Sequence, residues 1–452
     1  MEQNYLMTMG KTIESLLEQK KYVTIRDVLT TMQAIDIAAL FDDIDQDRLP
    51  LLYRLLPKEL AAETFVEMDE DAQTMLIHGF SDTELKEVVD ELYVDDMVDL
   101  VEEMPANVVK RILRSADSET RKAINEILKY PDDSAGSIMT TEYVSLRPAM
   151  TVGDAIKRIR RTGVDKETIY TGYVTTPNRT LVGMLSLRTL LLSDDDDVVQ
   201  DIMETNVIAV NTLDDKEEVA NQFKKYDFLT IPVVDKEFRL VGIVTVDDAI
   251  DVMEDEVTED MEMMAAITPT DKPYLKTGVF ETWKKRIPWL LLLMISATFT
   301  GMIITSFEDA LAAQVTLTAF IPMLMDTGGN SGSQASVTVI RGLSLGEIEF
   351  VDIFKVMWKE IRVALMCGVT LAIANFAKLM LFDRVGLWVS LVVCLTLIVT
   401  VFFAKIIGCA LPMLAKKIGF DPAVMASPFI TTAVDAISLV VYFQIATLLL
   451  GI

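Results

Sequence analysis

The sequence has few residues of the kinds that bind soft metals or act as catalytic nucleophiles and bases. Of its 452 residues only one is a histidine, His78, and three are cysteines, none of them in a CxxC pair. This composition argues against zinc and copper sites, which are built from these side chains. A single histidine also leaves no HExxH motif and little basis for a nucleophile–histidine pair, so the sequence does not indicate an enzyme. Metal sites built from oxygen ligands are not excluded.

Positive charge is scarce in the first part of the chain. Residues 1–275 contain 28 Lys and Arg against 57 Asp and Glu, whereas residues 276–452 contain 13 against 11. The net charge of −27 therefore belongs to the first part. Such acidity argues against nucleic-acid binding, which needs clustered basic residues. It favours cations as partners, although a solvated acidic surface is the simpler alternative.

The second part contains long runs with few charges. Five of them are long enough to cross a bilayer: 288–307, 310–340, 363–382, 385–404 and 422–452. The four tryptophans lie at or just outside the span ends, and Lys and Arg concentrate on one side of the membrane. No cleavable signal peptide is visible at the N-terminus. We therefore predict a multi-pass protein of the cytoplasmic membrane, surrounded by lipid, with a cytosolic N-terminus and its C-terminus outside.

The second predicted span contains an unusually polar segment, "TGGNSGSQASV", at residues 327–337. Small polar residues let helices approach closely, and they also present polar groups to a hydrated path. Prolines free backbone carbonyl groups, and irregular backbone at membrane depth is tolerated where it is enclosed by protein or lines a wet cavity. We therefore expect breaks in the spans at Pro322, Pro412 and Pro428.

Asp435 lies well inside the last predicted span. An ionised aspartate at the bilayer centre costs roughly 2.5–3.5 kcal/mol even on the lenient scale. We predict that Asp435 is a ligand in an ion pathway, and a protonated or hydrogen-bonded structural aspartate is the alternative. Asp326 lies nearer a span end, and its position fits an ion-pathway ligand and a structural aspartate equally well.

The acidic first part divides into two kinds of pattern. Residues 1–133 are predicted to be helical. They contain a loose repeat, in which "LPKELAAETF" from Leu56 parallels "MPANVVKRIL" from Met104, and such a repeat favours stacked helix pairs. Residues 136–255 are duplicated: "LVGMLSLRTLL" from Leu181 parallels "LVGIVTVDDAI" from Leu240. Each copy alternates strand-like and helical runs. The pattern resembles a tandem pair of CBS domains, which are regulatory modules that often bind adenine nucleotides or metals.

Residues 247–265, "DDAIDVMEDEVTEDMEMMA", form an acidic helical pattern. Ile250, Met253, Val257, Met261 and Met264 fall on one side of a helix, and acidic residues fall on the other. Stacked like charges destabilise an isolated helix by a few tenths of a kcal/mol per pair. Hard divalent cations such as Mg²⁺ or Ca²⁺ would neutralise this face, and a solvated charge run is the alternative.

Together, "PMLMDTGGNSGSQASVTVIRG", "SPFITTAVDAISLVVYF", the five spans, the CBS-like pair and the acidic helical region resemble the MgtE magnesium channels and transporters. The resemblance implies an all-α superhelical N-domain (1–133), an α/β tandem CBS pair (136–199 and 200–255), a connecting plug helix (247–275) and a five-helix transmembrane pore domain (276–452). It also implies a homodimer whose pore lies at the subunit interface, with Mg²⁺ as the transported and regulatory ion.

The same resemblance assigns roles to individual residues. Along the ion pathway it places Asp435, Gly328, Gly329, Asn330, Ser427, Thr431 and Asp326. As ligands of regulatory Mg²⁺ it places Glu63, Asp95, Asp99, Asp215, Glu217, Asp227, Asp248, Asp251, Glu256, Glu259 and Asp260.

The function expected from these features is Mg²⁺ influx through a channel or transporter. The resemblance implies that cytosolic Mg²⁺, bound between the N-domain, the CBS pair and the plug helix, closes the pore. ATP at the CBS pair is compatible with the known ligands of such modules. The alternative is a transporter of Mn²⁺, Co²⁺ or another solute that is regulated by an adenine nucleotide at the CBS pair.

Overall fold

The computed structural model describes residues 2–42, 44–45, 47–270, 274–425 and 427–451, and their side chains except those of residues 2–7 and 427. The chain forms two units, Met1–Met253 and Glu254–Ile452. The first unit contains a helical region followed by two small sheets with their helices. The second unit is helical throughout its described residues.

The first unit begins with a series of short helices, as the sequence predicts. They are Glu2–Glu18 (α1), Tyr22–Leu29 (α2), Ala34–Asp42 (α3), Leu49–Tyr53 (α4), Lys58–Val66 (α5), Glu70–Gly79 (α6), Asp82–Val89 (α7), Val94–Glu103 (α8), Ala106–Ser115 (α9) and Ser118–Ile127 (α10). Pro57 and Pro105, the prolines of the sequence repeat, stand immediately before α5 and α9. Proline lacks an N–H donor and suits a helix start. Because α1, α3, α5, α7 and α9 pack successively on one another, the region is a stacked series.

The two duplicated segments form two three-stranded sheets with the same order. The first contains Val144–Leu146 (β1), Thr171–Thr175 (β2) and Leu181–Ser186 (β3), and the second contains Val210–Asn211 (β4), Thr230–Val234 (β5) and Leu240–Thr245 (β6). In each sheet the first strand is parallel to the second, and the second is antiparallel to the third. The accompanying helices are Val152–Thr162 (α11), Leu187–Leu192 (α12), Val199–Ile202 (α13) and Lys216–Tyr226 (α14).

The segment that precedes each α/β copy pairs with the last strand of the other copy. Thr140, ahead of the first sheet, bridges to Ile243 in β6 of the second, and Glu204, ahead of the second sheet, bridges to Met184 in β3 of the first. Gly242 and Gly183 allow this approach, because a Cβ at Gly242 would lie 2.7 Å from the Thr140 carbonyl oxygen and one at Gly183 would lie 3.0 Å from that of Glu204. The copies are therefore interlocked by symmetry-related contacts.

A 19-residue helix, Val246–Met264 (α15), begins directly after β6. Ala249 and Val252 are buried near its start. In contrast, Ile250, Val257 and Met261 are each more than half exposed on this chain. The apolar side that the sequence predicts for this helix is therefore largely uncovered.

The second unit contains long apolar helices. They are Val279–Ser306 (α16), Ile353–Leu381 (α19), Leu387–Lys417 (α20) and Ser427–Leu450 (α21), together with Glu308–Ala313 (α17) and the more polar Ile321–Ser344 (α18). Among the described residues, four helical stretches are long and apolar enough to cross a membrane: 279–306, 350–381, 387–417 and 422–450. Helix α18 has 24 residues, which corresponds to a length of about 36 Å at 1.5 Å per residue.

The expected breaks at the prolines are wrong. Pro322 lies in the first turn of α18, and α18 continues without interruption through the glycine-rich segment to Ser344. Pro428 lies similarly in the first turn of α21, and α20 continues past Pro412. The first turn of a helix tolerates proline because its N–H groups have no partner within the helix. The predicted span 310–340 is also divided, since α17 and a 3₁₀ turn, Val315–Phe320, precede α18.

A buried ion pair joins helices α19 and α20, and both of its charged residues lie just outside the spans predicted from the sequence. Lys405 Nζ lies 3.8 Å from Glu360 Oε2, and the two side chains are 7% and 12% exposed. Pairing reduces the large cost of burying either charge alone. Helix α20 also packs on α18 and α21 and so occupies the centre of the unit.

Candidate ion pathway and cation sites

The glycines of α18 bring this helix into close contact with α20 and α21. A Cβ at Gly328 would lie 2.8 Å from Val434 Cγ1, and one at Gly329 would lie 2.9 Å from Thr431 Cγ2. A Cβ at Gly408 on α20 would lie only 2.2 Å from the carbonyl oxygen of Gly332. The polar, glycine-rich segment therefore serves close helix packing on its buried side.

The opposite side of α18 is polar and exposed. We call this face the polar stripe of α18; its members are spaced by three or four residues and lie on one side of the helix. They are Asp326, Asn330, Gln334, Thr338 and Arg341. A membrane helix does not present such a row of polar side chains to lipid without a high free-energy cost. The stripe therefore indicates a surface that faces water or a second protein chain.

Asp435 lies on α21 close to the start of this stripe. Thr431, one turn before it, contacts Gly329, and Asp326 is near enough to Asp435 to repel it electrostatically. Asp435 Oδ1 is buried and has no hydrogen-bond partner. Both interpretations of Asp435, an ion-pathway ligand and a protonated or hydrogen-bonded structural aspartate, remain predictions, and the free Oδ1 is an acceptor that a cation or a proton would occupy. The side chain of Ser427 lies outside the described side chains.

The glycine contact between α18 and α20 leads to a stability prediction. Gly408→Ala should lower the thermal unfolding temperature in detergent, because the new methyl group must displace the Gly332 backbone, and overpacking of this kind costs about 1–3 kcal/mol. Gly301→Ala on α16 is the matched control, since no atom lies within 4 Å of its Cβ position. An unfolding temperature that is equal for both variants would show that the α18–α20 contact is looser than described.

The first unit gathers acidic side chains from distant parts of the sequence. Asp95 on α8 and Asp248 on α15 repel each other electrostatically, as do Asp99 and Asp248. Asp251 similarly acts on Glu67. Asp95, Asp99, Asp248 and Asp251, predicted as regulatory ligands, therefore lie in one region between the helical part and α15.

The other predicted ligands lie elsewhere. Asp215 caps α14, its Oδ1 accepting the Glu217 backbone N–H at 2.9 Å. Glu63 is exposed on α5. In the second unit, Ser344 Oγ donates to Asp260 Oδ2 at 3.3 Å, and Asp421 repels Asp260. Glu256 and Glu259 lie on the same helix as Asp260.

Four further carboxylates, which the sequence interpretation missed, join the group around Asp95 and Asp248. We call the set of six the acidic cluster: Asp95, Asp96, Glu142, Glu167, Asp247 and Asp248. One signal was available in the sequence. Helices α8 and α15 both start with the tripeptide "VDD", at Val94 and at Val246. Glu142 and Glu167 have no comparable signal.

The acidic cluster is electrostatically strained. Burial, reinforced by Asp96, Asp247 and neighbouring carboxylates, raises the pKa of Glu167 to about 8. Burial also raises the pKa of Asp96 to about 6, although a hydrogen bond with the Tyr93 backbone acts in the opposite direction and lowers this pKa. The pKa of Asp95 is raised well above its usual range, first by burial and then by Asp248. These shifts mean that the cluster favours either protons or bound cations at neutral pH.

The acidic cluster is not a preformed metal centre. Within the described part of the chain, no three His, Cys, Asp or Glu side chains converge closely enough to hold an ion directly. Mg²⁺ usually keeps several of its waters and needs only one or two protein carboxylates. An arrangement of spaced carboxylates is compatible with that mode of binding.

A cavity of about 260 Å³ lies between the two α/β copies. Thr171, Met184 and Ser186 line it from the first copy, and Asp227 and Thr230 line it from the second. Asp227 ends α14 in the left-handed conformation, at φ 54°. The structure thus places Asp227, which the sequence assigned to a regulatory ion, at this cavity.

Comparison with known proteins identifies the family of this chain. A family model described as a divalent cation transporter, MgtE, matches residues 321–445, the MgtE intracellular N domain matches 32–133, and CBS domains match 135–195 and 199–255. A magnesium transporter MgtE of Thermus thermophilus is 36% identical over 443 residues, which cover 97% of this chain and 98% of that protein. The chain belongs to the MgtE family.

Two further comparisons agree with this assignment. The magnesium transporter MgtE of Bacillus subtilis is 34% identical over 96% of this chain and 95% of its own length. A crystal structure of the cytosolic domain of the Mg²⁺ channel MgtE in complex with ATP is 36% identical, with a TM-score of 0.51, and covers 54% of this chain and 99% of that one. The resemblance drawn from the sequence motifs is confirmed, and the MgtE family is a family of transporters rather than enzymes.

Proposed function

We propose that this MgtE protein is a Mg²⁺-selective channel or transporter that mediates Mg²⁺ influx. The observation that carries the proposal is the exposed polar stripe of α18 beside the buried, unpartnered Oδ1 of Asp435. Asp326, Asn330 and the backbone near Gly328 and Gly329 would contribute polar groups to the same path. The magnesium transporters of Thermus thermophilus and Bacillus subtilis, to which the chain is similar along its length, support Mg²⁺ as the ion.

The polar stripe also supports a homodimer. In one chain it would face lipid, whereas in a symmetric pair two stripes would face each other across a hydrated path. Helix α18 is then a fifth span, together with the four apolar stretches. Two copies of Asp435 would supply about two negative charges, which match one Mg²⁺. The exposed Ile250, Val257 and Met261 of α15 offer a further surface that a second copy would cover.

The orientation follows from the distribution of basic residues. With the first unit in the cytosol, the inner ends of the spans carry Lys284, Lys285, Lys416 and Lys417. An odd number of spans then places the C-terminus outside. The membrane potential drives a divalent cation inward with roughly 4.6 kcal/mol per 100 mV, at 2.3 kcal/mol per charge.

Regulation by cytosolic Mg²⁺ is the second part of the proposal. Ions bound at the acidic cluster, near Asp251 and Glu67, and near Asp260 and Asp421 would offset repulsion along α15. A ligand shifts a conformational equilibrium only by binding one state more tightly. Because bound Mg²⁺ stabilises the compact arrangement in which α15 acts as a plug, high cytosolic Mg²⁺ closes the pore.

The cavity between the CBS copies would bind ATP. The cytosolic-domain crystal structure of a related Mg²⁺ channel was obtained with ATP. In this chain the cavity provides hydroxyl groups from Thr171, Ser186 and Thr230 and the carboxylate of Asp227, and these are suited to hydrogen bonds with a ribose or amine. A nucleotide there would modulate the affinity for regulatory Mg²⁺.

The deciding experiment is divalent uptake into proteoliposomes that contain the purified protein. We expect Mg²⁺ influx that falls as Mg²⁺ on the cytosolic face rises, with Mn²⁺ and Co²⁺ tested in parallel. Liposomes without protein give the background. Uptake at the background level for Mg²⁺ but above it for Mn²⁺ or Co²⁺ would overturn Mg²⁺ selectivity, and no uptake of any divalent ion would overturn the transport proposal.

A further inference from the structure

Helix α19 is longer than a membrane span requires. Its 29 residues correspond to a length of about 44 Å at 1.5 Å per residue, whereas the hydrocarbon core of a bilayer is about 30 Å thick. Because the sequence predicts the span at 363–382, the first part of the helix continues beyond the hydrocarbon, toward the cytosol in the proposed orientation. We call this part, residues 353–362, the α19 extension. It lies at the level of the lipid headgroups.

The α19 extension is packed on one side and exposed on the other. Its packed side chains contact buried residues in the last turns of α18 and α20, and they are Ile353, Val356 and Met357. On the opposite side, Phe354 and Trp358 are 80% and 61% exposed. The extension is therefore held in place by protein, and it presents aromatic rings to its surroundings. A tryptophan at this depth is typical of the membrane interface.

Two of the basic residues of the extension have no acidic partner. Helix α19 contains five charged residues, and three of them, Lys355, Glu360 and Lys378, form ion pairs. Lys359 and Arg362 are both exposed, and neither forms an ion pair within the described part of the chain. Residues three apart are neighbours on a helix surface, so these two unpaired positive charges lie close together.

Arg362 is held against the aromatic surface of the extension. Its guanidinium carbon lies 5.8 Å from the centre of the Trp358 ring, and its Nε donates to the Trp358 carbonyl oxygen at 3.3 Å. Its Nη atoms form no hydrogen bond with any residue that the structure describes, so their N–H groups remain available to an anion. A planar guanidinium matches the spacing of phosphate oxygens, and a neighbouring ammonium adds a second positive charge.

We propose that Lys359 and Arg362 bind the phosphate of an anionic phospholipid in the cytosolic leaflet, beside Trp358. One turn further into the membrane, Leu365 and Met366 are 58% and 72% exposed and would contact the acyl chains of the lipid. The cytosolic leaflet is the one that contains anionic lipid. A zwitterionic headgroup fits less well, because its own cation opposes the two basic side chains. The inference uses the proposed orientation of the spans and does not depend on which ion is transported.

The test is thermal unfolding of the full-length protein in detergent with added dioleoylphosphatidylglycerol, and with dioleoylphosphatidylcholine in parallel. A ligand that binds only the folded state raises the unfolding temperature. The phosphatidylglycerol concentration that gives half of the maximal rise should be roughly thirtyfold higher for Lys359→Gln/Arg362→Gln, which corresponds to about 2 kcal/mol for two basic residues near the membrane surface.

Lys355→Gln/Lys378→Gln is the matched control for this experiment. It removes two positive charges from the same helix, and each of these lysines already lies within 3.2 Å of an aspartate oxygen. We expect its half-maximal phosphatidylglycerol concentration to equal that of the wild type, and we expect phosphatidylcholine to distinguish none of the three proteins.

Equal half-maximal concentrations for the two double variants would overturn the proposal. The same rise in unfolding temperature with inorganic phosphate in place of lipid would also overturn it, because the site would then bind a free anion. A smaller molecular mass of Lys359→Gln/Arg362→Gln by light scattering would mean that a second copy of the chain covers this face, with the same consequence. None of these readouts involves Mg²⁺, so their failure is distinct from absent uptake into proteoliposomes, which would count against the proposed transport.

Discussion

Replacing Asp435 by Asn should abolish or sharply reduce Mg²⁺ uptake while the protein still folds. The substitution keeps the size of the side chain and removes its charge. Two unit charges 4 Å apart attract each other by about 4 kcal/mol at an effective dielectric constant of 20. A loss of that size corresponds to roughly a thousandfold lower affinity of the site for the ion. Uptake of Mg²⁺ into proteoliposomes measures the effect, and thermal unfolding in detergent checks the fold.

The matched control for this prediction is Asp309→Asn. Asp309 is an exposed aspartate of the second unit that lies on α17 and is not a member of the polar stripe of α18. It should transport at the wild-type rate. Asp326→Asn, which changes an exposed member of the stripe, should have an intermediate effect because its carboxylate acts on the ion from further away. Normal conduction by the Asp435→Asn protein would make Asp435 a structural residue and refute the pathway described above.

Local sequence patterns were sufficient for the broad architecture. The helical first region and the duplicated α/β segments follow from periodicity and repetition, and both are confirmed by the structure and the family comparison. The membrane helices follow from hydropathy for four stretches. Helix α18 is the exception, because its polar stripe lowers its mean hydropathy. The scarcity of charged residues over 310–340 predicted a span there, whereas mean hydropathy alone does not single out α18.

The site was less accessible to sequence reasoning. Asp435 stands out as a charge within an apolar run, so its placement needs no knowledge of tertiary structure. The acidic cluster is different, since Asp95, Glu167 and Asp248 are brought together only by the packing of α8, the first CBS copy and α15. The helix breaks predicted at the prolines were wrong for a related reason. Proline disrupts the interior of a helix, whereas Pro322 and Pro428 occupy first turns, and the sequence alone did not show where these helices begin.

The second large effect concerns gating by cytosolic Mg²⁺. Replacing Asp248, Asp251 and Glu259 together by Ala should leave the channel open at millimolar Mg²⁺, a range typical of weak divalent sites. Asp248 belongs to the acidic cluster and Asp251 acts on Glu67, so the variant removes α15 carboxylates from two acidic regions at once. Single-channel open probability across a Mg²⁺ titration is the measurement, with protease protection of the first unit as a second readout.

The sign of this effect separates cation binding from simple repulsion. If the acidic residues of α15 only repelled one another, removing three of them would stabilise the compact arrangement and close the pore more readily. If they bind Mg²⁺ in the closed state, removing them weakens closure. Asp194→Ala/Asp195→Ala/Asp196→Ala, which removes three carboxylates from an exposed loop of the first CBS copy, controls for the change in net charge. Closure of the α15 variant at or below the wild-type Mg²⁺ midpoint would therefore leave its acidic side as a solvated surface.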